Sequence, residues 1–386
     1  MSLLIIVIWD EVRITDNYLK TLKITEIEYF EEKKMISRDL PPSYHRSIFS
    51  KVGEGKICLG IESTAHTFGV ALTQISDRKG RILCDVKSVY QPPSGSGIHP
   101  REASRYHAMN AASVIHKALT MAGVDIKRVD AIAYSAGPGL GPCLRVGAVS
   151  ARALSSYFKK PLIPVNHALG HIELSIMLTG AIDPVVLLVT GGHTAITAYI
   201  SGRWKIFGET LDLTIGQLID QFGREVGFSS PCGAKIEELA KKSSNYIPLP
   251  YSVKGNDVSF SGILTAAKNM LKEGKKLEDL CYSLQETAFA MLIEATERAL
   301  AFSEKKEVLL VGGVAANLRL QEMLKEMCHQ HNARPLIVPL RYSGDCGAQI
   351  SWTGLLAYLS GVRVDIEKSF VHQSWRFDKV LVKWRY

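Results

Sequence analysis

The sequence predicts a two-lobed α/β protein on a duplicated core, a three-stranded meander followed by helices and parallel strands, with a central cleft between the lobes. Three observations predict it. A strand–turn–strand–strand run starting at Ile57 recurs from Val185, and the two turns share a dipeptide, His66-Thr67 and His193-Thr194, 127 residues apart. Each run is followed by an apolar strand, a loop of glycine and other small residues, and a helix. A chain of 386 residues, 46% of them apolar, is long enough to bury the core of two such bodies. A repeated dipeptide arises easily by chance, so the weight rests on the order of the elements.

In chain order, residues 1–56 do not resemble the rest of the chain. Leu3–Trp9 reads as a strand, Asp16–Lys34 as a charged amphipathic helix, and Pro41-Pro42 breaks the pattern. The segment is expected to be an appendage of unknown role, or the product of a start placed too far upstream of Met35 or a later codon. Ile57–Ile61, Phe68–Ile75 and Arg81–Tyr90 form the first meander, and a helix opens at His99-Pro100-Arg101-Glu102 and runs to about Ala122. Ala131–Ser135 is a buried strand, Gly137-Pro138-Gly139-Leu140-Gly141-Pro142 a loop, Leu144–Phe158 a helix and Leu162–Val165 the next strand. The second round has strands at Val185–Val189, Ala195–Ser201 and Trp204–Leu211, and helices dominate from Thr214 to Ser303. Val308–Val311 then ends in Gly312-Gly313-Val314-Ala315-Ala316-Asn317, followed by the helix Leu318–Cys328, the strand Leu336–Val338 and a last long helix. The expected lobes are 57–183 and 184–350, with 351–386 returning to the first.

Composition narrows the partners. Residues 1–56 carry nine acidic and nine basic side chains, so the whole net charge of +8 lies on residues 57–386. A basic body suits a polyanion such as RNA. The seven cysteines form no C-x-x-C pair, which points to a reducing cytosol with the thiols packed as small apolar groups. The apolar run at Leu3–Trp9 is too short to span a membrane and lacks a basic n-region. The protein is expected in the cytoplasm.

The residues that carry chemistry start with His167-Ala168-Leu169-Gly170-His171. Imidazoles four apart on a helix share a face and can grip one metal ion, although such histidines also pack or cap. Small-residue turns at Glu62–Thr67 and Thr190–Thr194 can offer backbone N–H groups to phosphate oxygens across the cleft. The double glycine at Gly312-Gly313, between strand and helix, is a place for a nucleotide to approach the backbone. Asp220 and Arg224 at i, i+4 read first as a surface ion pair, and Asp345 before the last helix as an N-cap.

Taken together, Gly60-Ile61-Glu62-Ser63-Thr64-Ala65-His66-Thr67, His99-Pro100-Arg101-Glu102-Ala103, the Gly137–Pro142 loop, His167-x3-His171, Thr190-Gly191-Gly192, Arg224-Glu225-Val226-Gly227, Val253–Gly262 and Gly312–Asn317 resemble one family. It is the universal tRNA threonylcarbamoyladenosine synthase family, in its archaeal and eukaryotic branch, the catalytic subunit of the KEOPS complex. The likeness covers about residues 57–386. It implies the actin-like ATPase fold of sugar kinases, Hsp70 and actin, and transfer of a threonylcarbamoyl group from threonylcarbamoyl-AMP to N6 of adenosine 37 in tRNAs that read codons beginning with A. It implies His167, His171 and Asp345 as ligands of one Fe²⁺ or Zn²⁺, with Mg²⁺ accompanying bound nucleotide. Leu188, Val189, Thr190, Gly191 and Gly192 match the loop at the acyl-phosphate end, and Asp220, Gly233, Glu237 and Asn317 the positions around ribose and adenine. Glu62 is expected to face the reacting group and to position or deprotonate the incoming amine. The implied partners are tRNA, a separate small kinase or ATPase subunit (the chain leaves no room for a fused one) and the other KEOPS subunits, with no membrane.

Some positions depart from the branch. Leu188 stands where a fourth, tyrosine ligand is usual, His193 follows the glycine pair where asparagine is usual, and Gln217, Gln221, Cys232, Ala234 and Cys346 replace other usual site residues. A divergent, non-catalytic nucleotide-binding scaffold is the alternative these suggest. A metalloprotease is disfavoured, because the H-E-x-x-H signature needs glutamate where Ala168 stands, and Glu173 lies about 200° round the helix from His171. A kinase or ATP-driven chaperone has no need of a histidine pair.

Overall fold

The computed structural model describes residues 36–45, 52 and 55–385. The strand and helix expected at Leu3–Trp9 and Asp16–Lys34, and the alternative start at Met35, lie outside them. The duplication is present in full. In the first sheet β2 (Lys56–Glu62), β3 (Thr67–Ser76) and β4 (Lys79–Val89) form the antiparallel meander, and β5 (Ala131–Gly137) and β6 (Leu162–Asn166) add in parallel beside β2. In the second, β7 (Val185–Val189), β8 (Thr194–Ile200) and β9 (Arg203–Glu209) repeat the meander, with β12 (Glu307–Val311) and β13 (Arg334–Ile337) parallel beside β7. The spatial orders β4-β3-β2-β5-β6 and β9-β8-β7-β12-β13 are therefore the same. Thr67 and Thr194, the threonines of the shared dipeptide, each open the returning strand.

One strand breaks the symmetry. β1 (Ile36–Asp39) pairs antiparallel with β4 at the edge of the first sheet. Beyond it Leu40, Tyr44 and Val52 are buried in the main core. An unstructured appendage does not bury such side chains, so this part of the N-terminal segment is integrated into the body. A short hairpin, β10 (Val253–Lys254) with β11 (Asp257–Val258), interrupts the helical stretch expected from Thr214 to Ser303.

Helices α1 (Pro100–Ala122) and α2 (Gly141–Phe158) cover one face of the first sheet. On the other lies α9 (Gly347–Leu359), which also packs on α3 (His167–Thr179); α3 in turn lies against β12 and β13. The remaining helices, α4 (Ile215–Glu225), α5 (Gly233–Ala240), α6 (Ser261–Lys272), α7 (Leu277–Ser303) and α8 (Leu318–Gln330), attend the second sheet. The two central helices are apolar around their circumference, as a helix between two sheets must be, and every residue of α3 from His167 to Leu178 is buried. The approach of α9 to β2 requires glycine: a Cβ on Gly60 would lie 2.1 Å from the Ser351 nitrogen. All seven cysteines are free and buried, in keeping with their reading as small apolar groups. Among the described residues no helix is long and apolar enough to cross a membrane.

The C-terminal segment goes further than a return to the first sheet. After the bridge between Val364 and Leu162 at β6, it crosses to the second sheet, where Arg376 pairs with Glu209 and the Val382 N–H donates to the Gly202 carbonyl.

Candidate active site

In a helix with no solvent-facing side, ionisable residues need partners, and α3 carries three: His167, His171 and Glu173. The helix starts at His167 because Asn166 caps it, its side-chain oxygen accepting from the Leu169 N–H at 3.2 Å. One turn apart, the two imidazoles meet edge to face with centroids 4.8 Å apart. Asp345, just before α9, supplies the third donor: its Oδ1 lies 3.5 Å from His167 Nε2 and 3.3 Å from His171 Nε2. The three ligand atoms all lie within 4.8 Å of one another. Asp345 is therefore not a cap; Cys346 holds the N-cap position of α9, with no side-chain cap hydrogen bond.

Glu62 explains the orientation of His167. Its Oε2 accepts from His167 Nδ1 at 2.9 Å and from Gln349 Nε2 at 3.2 Å, while Oε1 accepts from the Thr64 N–H at 2.6 Å. A carboxylate on Nδ1 leaves the Nε2 lone pair directed at the cluster, an arrangement that fixes the tautomer of a metal-bound histidine. The Glu62 carboxylate, expected to face the incoming amine, lies against His167, Gln349 and the Thr64 N–H. The residue ends β2, is wholly buried, and has both oxygens engaged.

The electrostatics of the cluster differ between its two imidazoles: His171 is pushed below its ordinary value, by burial first and also by the neighbouring His167. Burial opposes a charge on His167, yet the Glu62 and Asp345 carboxylates outweigh it and raise the imidazole to about 9. Asp345 is held well below the usual carboxylate range: burial works against its charge, and the two histidines more than compensate. Two imidazole nitrogens and one carboxylate oxygen, converging in a pocket that stabilises positive charge, suit a divalent ion such as Zn²⁺ or Fe²⁺ with positions left for other ligands.

The turn Thr190–His193 lies beside this cluster. His193 is held neutral, lowered to about 3, by burial first and then by the neighbouring His167 and His171. The Thr190 Oγ1 accepts from the N–H groups of Gly192 at 3.1 Å and His193 at 2.8 Å, so these donors shape the turn instead of standing free. Gly191 and Gly192 are exposed. Only glycine allows the end of β12 to approach here: Gly312 has φ +103°, and a Cβ on it would lie 2.3 Å from the Val189 carbonyl oxygen. Leu188 and Val189, expected to touch substrate, are fully buried in β7, so neither offers a side chain to a ligand. An inward-facing apolar run pairs with the strands on either side and packs into the core.

The remaining expected residues gather where α5 meets α8. Asp220 Oδ1 accepts from the Cys232 N–H at 2.7 Å, immediately before Gly233 opens α5. Glu237 Oε1 accepts from the Leu318 N–H at 3.1 Å, and Asn317 both caps α8 and donates to Gln285 Oε1 at 2.6 Å. Arg224 does not form the simple ion pair with Asp220; it donates to Ser230 Oγ at 2.9 Å. Reading the sequence missed Asn166, Thr64 and Gln349. Asparagine before a helix is a recognisable cap signal. Nothing local marks Gln349, which reaches His167 from 182 residues away.

With this geometry in place, comparison with known proteins decides the family. Residues 81–352 match the family model TsaD, tRNA N6-adenosine threonylcarbamoyltransferase. The chain belongs to that family. It is 48% identical over 328 residues to a tRNA N6-adenosine threonylcarbamoyltransferase of Caldivirga maquilingensis, covering 85% of this chain and 98% of the relative. It is 50% identical to one of Thermofilum pendens, covering 85% and 96%. A probable bifunctional tRNA threonylcarbamoyladenosine biosynthesis protein of Methanothermobacter thermautotrophicus is 49% identical, and the match covers 85% of this chain but 61% of that protein. Among solved structures, T. kodakarensis HypF aligns with a TM-score of 0.57 at 14% identity, over 84% of this chain and 49% of the other, which supports the actin-like fold alone. As a threonylcarbamoyltransferase the chain is a transferase acting on tRNA, and the metal-ligand set fits a family that is metal-dependent in general.

Proposed function

We propose that the chain transfers the threonylcarbamoyl group of threonylcarbamoyl-AMP to N6 of adenosine 37 in tRNAs that read codons beginning with A. A divalent ion would be held by His167, His171 and Asp345. The observation that carries this reading is the cluster itself, two Nε2 atoms and one Oδ1 within 4.8 Å, beside the exposed Gly191-Gly192 turn. When bound, the ion supplies Lewis acidity toward a carbonyl oxygen. The residues of the chain do the rest. Glu62 and Gln349 hold His167 in one orientation, and Gly191 and Gly192 let the acyl-phosphate end lie against the turn without a clash. Gly233, Glu237 and Asn317 flank the junction of α5 and α8, where the nucleoside end of the adenylate would rest. Attack of the adenine amine on the carbamoyl carbon forms the new C–N bond, AMP leaves with the electron pair of the broken C–O bond, and the proton the amine loses passes to the departing phosphate or to water.

Hydrolytic chemistry gains no support. Ala168 is fully buried, and Glu173 is occupied by Tyr44, Trp204 and Arg385. We read the chain as the catalytic subunit of a KEOPS-type assembly in the cytoplasm, with a separate small kinase or ATPase subunit. The bifunctional relative, longer than this chain, is consistent with such a partner. The test is reconstitution with tRNA, threonine, bicarbonate, ATP, an adenylate-forming enzyme and the partner subunits, read by mass spectrometry of tRNA nucleosides. Modified adenosine that disappears in Asp345→Ala supports the reading. Unmodified tRNA in a complete, metal-loaded mixture overturns it.

A further inference from the structure

A cavity of about 540 Å³ opens between β5 and β6, at Tyr134, Ala136 and Pro164, and the C-terminal segment at 364–379. It is of a size that accepts small ligands or parts of larger ones. Its wall combines three cations, Lys368, Arg376 and Lys379, with three large aromatics, Tyr134, Phe370 and Trp375, and no carboxylate lines it. Phe370 is 63% exposed and stands near the half-buried Trp375 in the wall of the same cavity. The cations differ in how firmly they are held. Arg376 is fixed by Glu209 at 3.1 Å and Asp378 at 2.9 Å. Lys368 makes a long, exposed contact with Asp365 at 3.6 Å, and the exposed Lys379 a long one of 3.7 Å with Asp378, which also pairs with Arg376. Exposed pairs of that length bind weakly, so both ammonium groups can be drawn to another anion.

The cavity is coupled to the metal cluster by backbone. The His372 N–H donates to the Ala136 carbonyl at 2.7 Å, and the Gly139 N–H donates to the Gln373 carbonyl at 3.1 Å. The same glycine-proline loop sends the Leu140 N–H to the Thr64 carbonyl at 2.8 Å, and Thr64 Oγ1 lies 3.4 Å from His167 Nδ1. From the other side, Asn166 caps the helix of His167 and donates through Nδ2 to the Trp375 carbonyl at 2.9 Å. The cavity wall thus touches Asn166, the cap of the helix of His167, through Trp375.

We propose that this cavity is an RNA subsite: it takes an unpaired nucleotide of the tRNA anticodon loop next to the target adenosine, its base against Phe370 and Trp375 and its flanking phosphates on Lys368 and Lys379. Cationic grooves with exposed aromatics hold single-stranded nucleic acid in this way, with stacking insensitive to base identity. A transferase acting on a base in a loop must hold the neighbouring nucleotides aside, and this surface is beside the cluster that would do the chemistry. The proposal deepens the transferase reading and rests on it.

The test uses the complete assembly and wild-type tRNA. Phe370→Ala and the pair Lys368→Glu, Lys379→Glu alter exposed side chains, so folding is not at stake, and each is compared with wild type by steady-state kinetics at several salt concentrations. Phe370→Ala should raise the KM for tRNA roughly five- to hundred-fold. The lysine pair should raise it too, and should flatten the salt dependence of tRNA binding by about 0.7 in log–log slope for each phosphate left without its lysine. The metal content and the KM for the threonylcarbamoyl donor should stay unchanged. An isolated anticodon stem-loop should protect Trp375 fluorescence from acrylamide quenching in wild type. If wild type modifies tRNA while both variants keep its KM and salt slope, the subsite is wrong and the transferase reading stands. If wild type modifies no tRNA, the transferase reading itself fails.

Discussion

At the scale of single residues, the site is organised by how each donor is aimed. His167 could present either nitrogen to an ion; the Glu62 carboxylate on Nδ1 decides for Nε2. The pair His167 and His171 was legible in the sequence because spacing of four on a helix is a local rule. Asp345 was reached only through resemblance, since 174 residues separate it from His171. The burial of Glu62 could not be read at all: a carboxylate in a small polar turn looks accessible until the packing of Gln349 and Thr64 around it is known. The consequence is testable. Glu62→Ala should weaken metal binding about 10- to 100-fold, as loss of an orienting partner does, and activity should recover at saturating metal. Competition against a chromophoric chelator, followed by assay in excess metal, checks this. Unchanged metal affinity with an activity loss that excess metal leaves in place would instead indicate direct proton transfer by Glu62.

At the scale of elements, α1 and the first turn are joined by a buried histidine. His107 has no exposed surface, its Nε2 lies 2.9 Å from the Ala65 carbonyl oxygen, and it packs against Phe68. Burial, the largest influence, lowers it to about 4 despite the Ala65 carbonyl and the Glu62 charge. The sign follows from the folded value lying below the ordinary value near 6.5. As pH falls, the unfolded chain takes up the proton first, so stability is full above about 6.5 and declines toward the folded value of about 4. The contribution lost is on the order of 2–3 kcal/mol. Urea denaturation between pH 7 and 4.5 should show this decline in wild type and a flatter profile in His107→Gln, whatever the offset between the two at pH 7. Parallel profiles would remove His107 from the account. Most element boundaries were legible because the strands are apolar runs bounded by glycine and small polar turns. The hairpin at Val253–Val258 was not, because four paired residues carry too little periodicity to register.

At the scale of the whole molecule, one buried residue joins the N-terminal segment, the central helix, the second sheet and the C-terminal tail. The Arg385 guanidinium lies 5.4 Å from each of the Tyr44, Tyr199 and Trp204 rings, and 3.6 Å from Glu173 on α3, with both charged side chains almost wholly buried. Tyr44 and Trp204 also donate to Glu173, at 3.1 and 3.3 Å. Arg385→Ala strands a buried carboxylate and should cost about 3–5 kcal/mol, whereas Arg385→Met with Glu173→Gln should cost much less. Chemical denaturation of the two variants measures the difference, and equal losses would mean that the pair contributes only packing. The sequence alone determined the duplication, the strand and helix order and the histidine pair, because these follow from periodicity, turn chemistry and short spacings that act within a few turns of chain. It placed Glu173 away from the histidines and could say nothing of its partner. Only the tertiary structure decided that Glu62 serves His167, that Leu188 and Val189 are closed off, that Tyr44 and Arg385 meet across Glu173, and that a basic, aromatic cavity lies against the helix of His167. Each of these depends on which distant segments are brought together and what is thereby removed from water, and no local pattern records that.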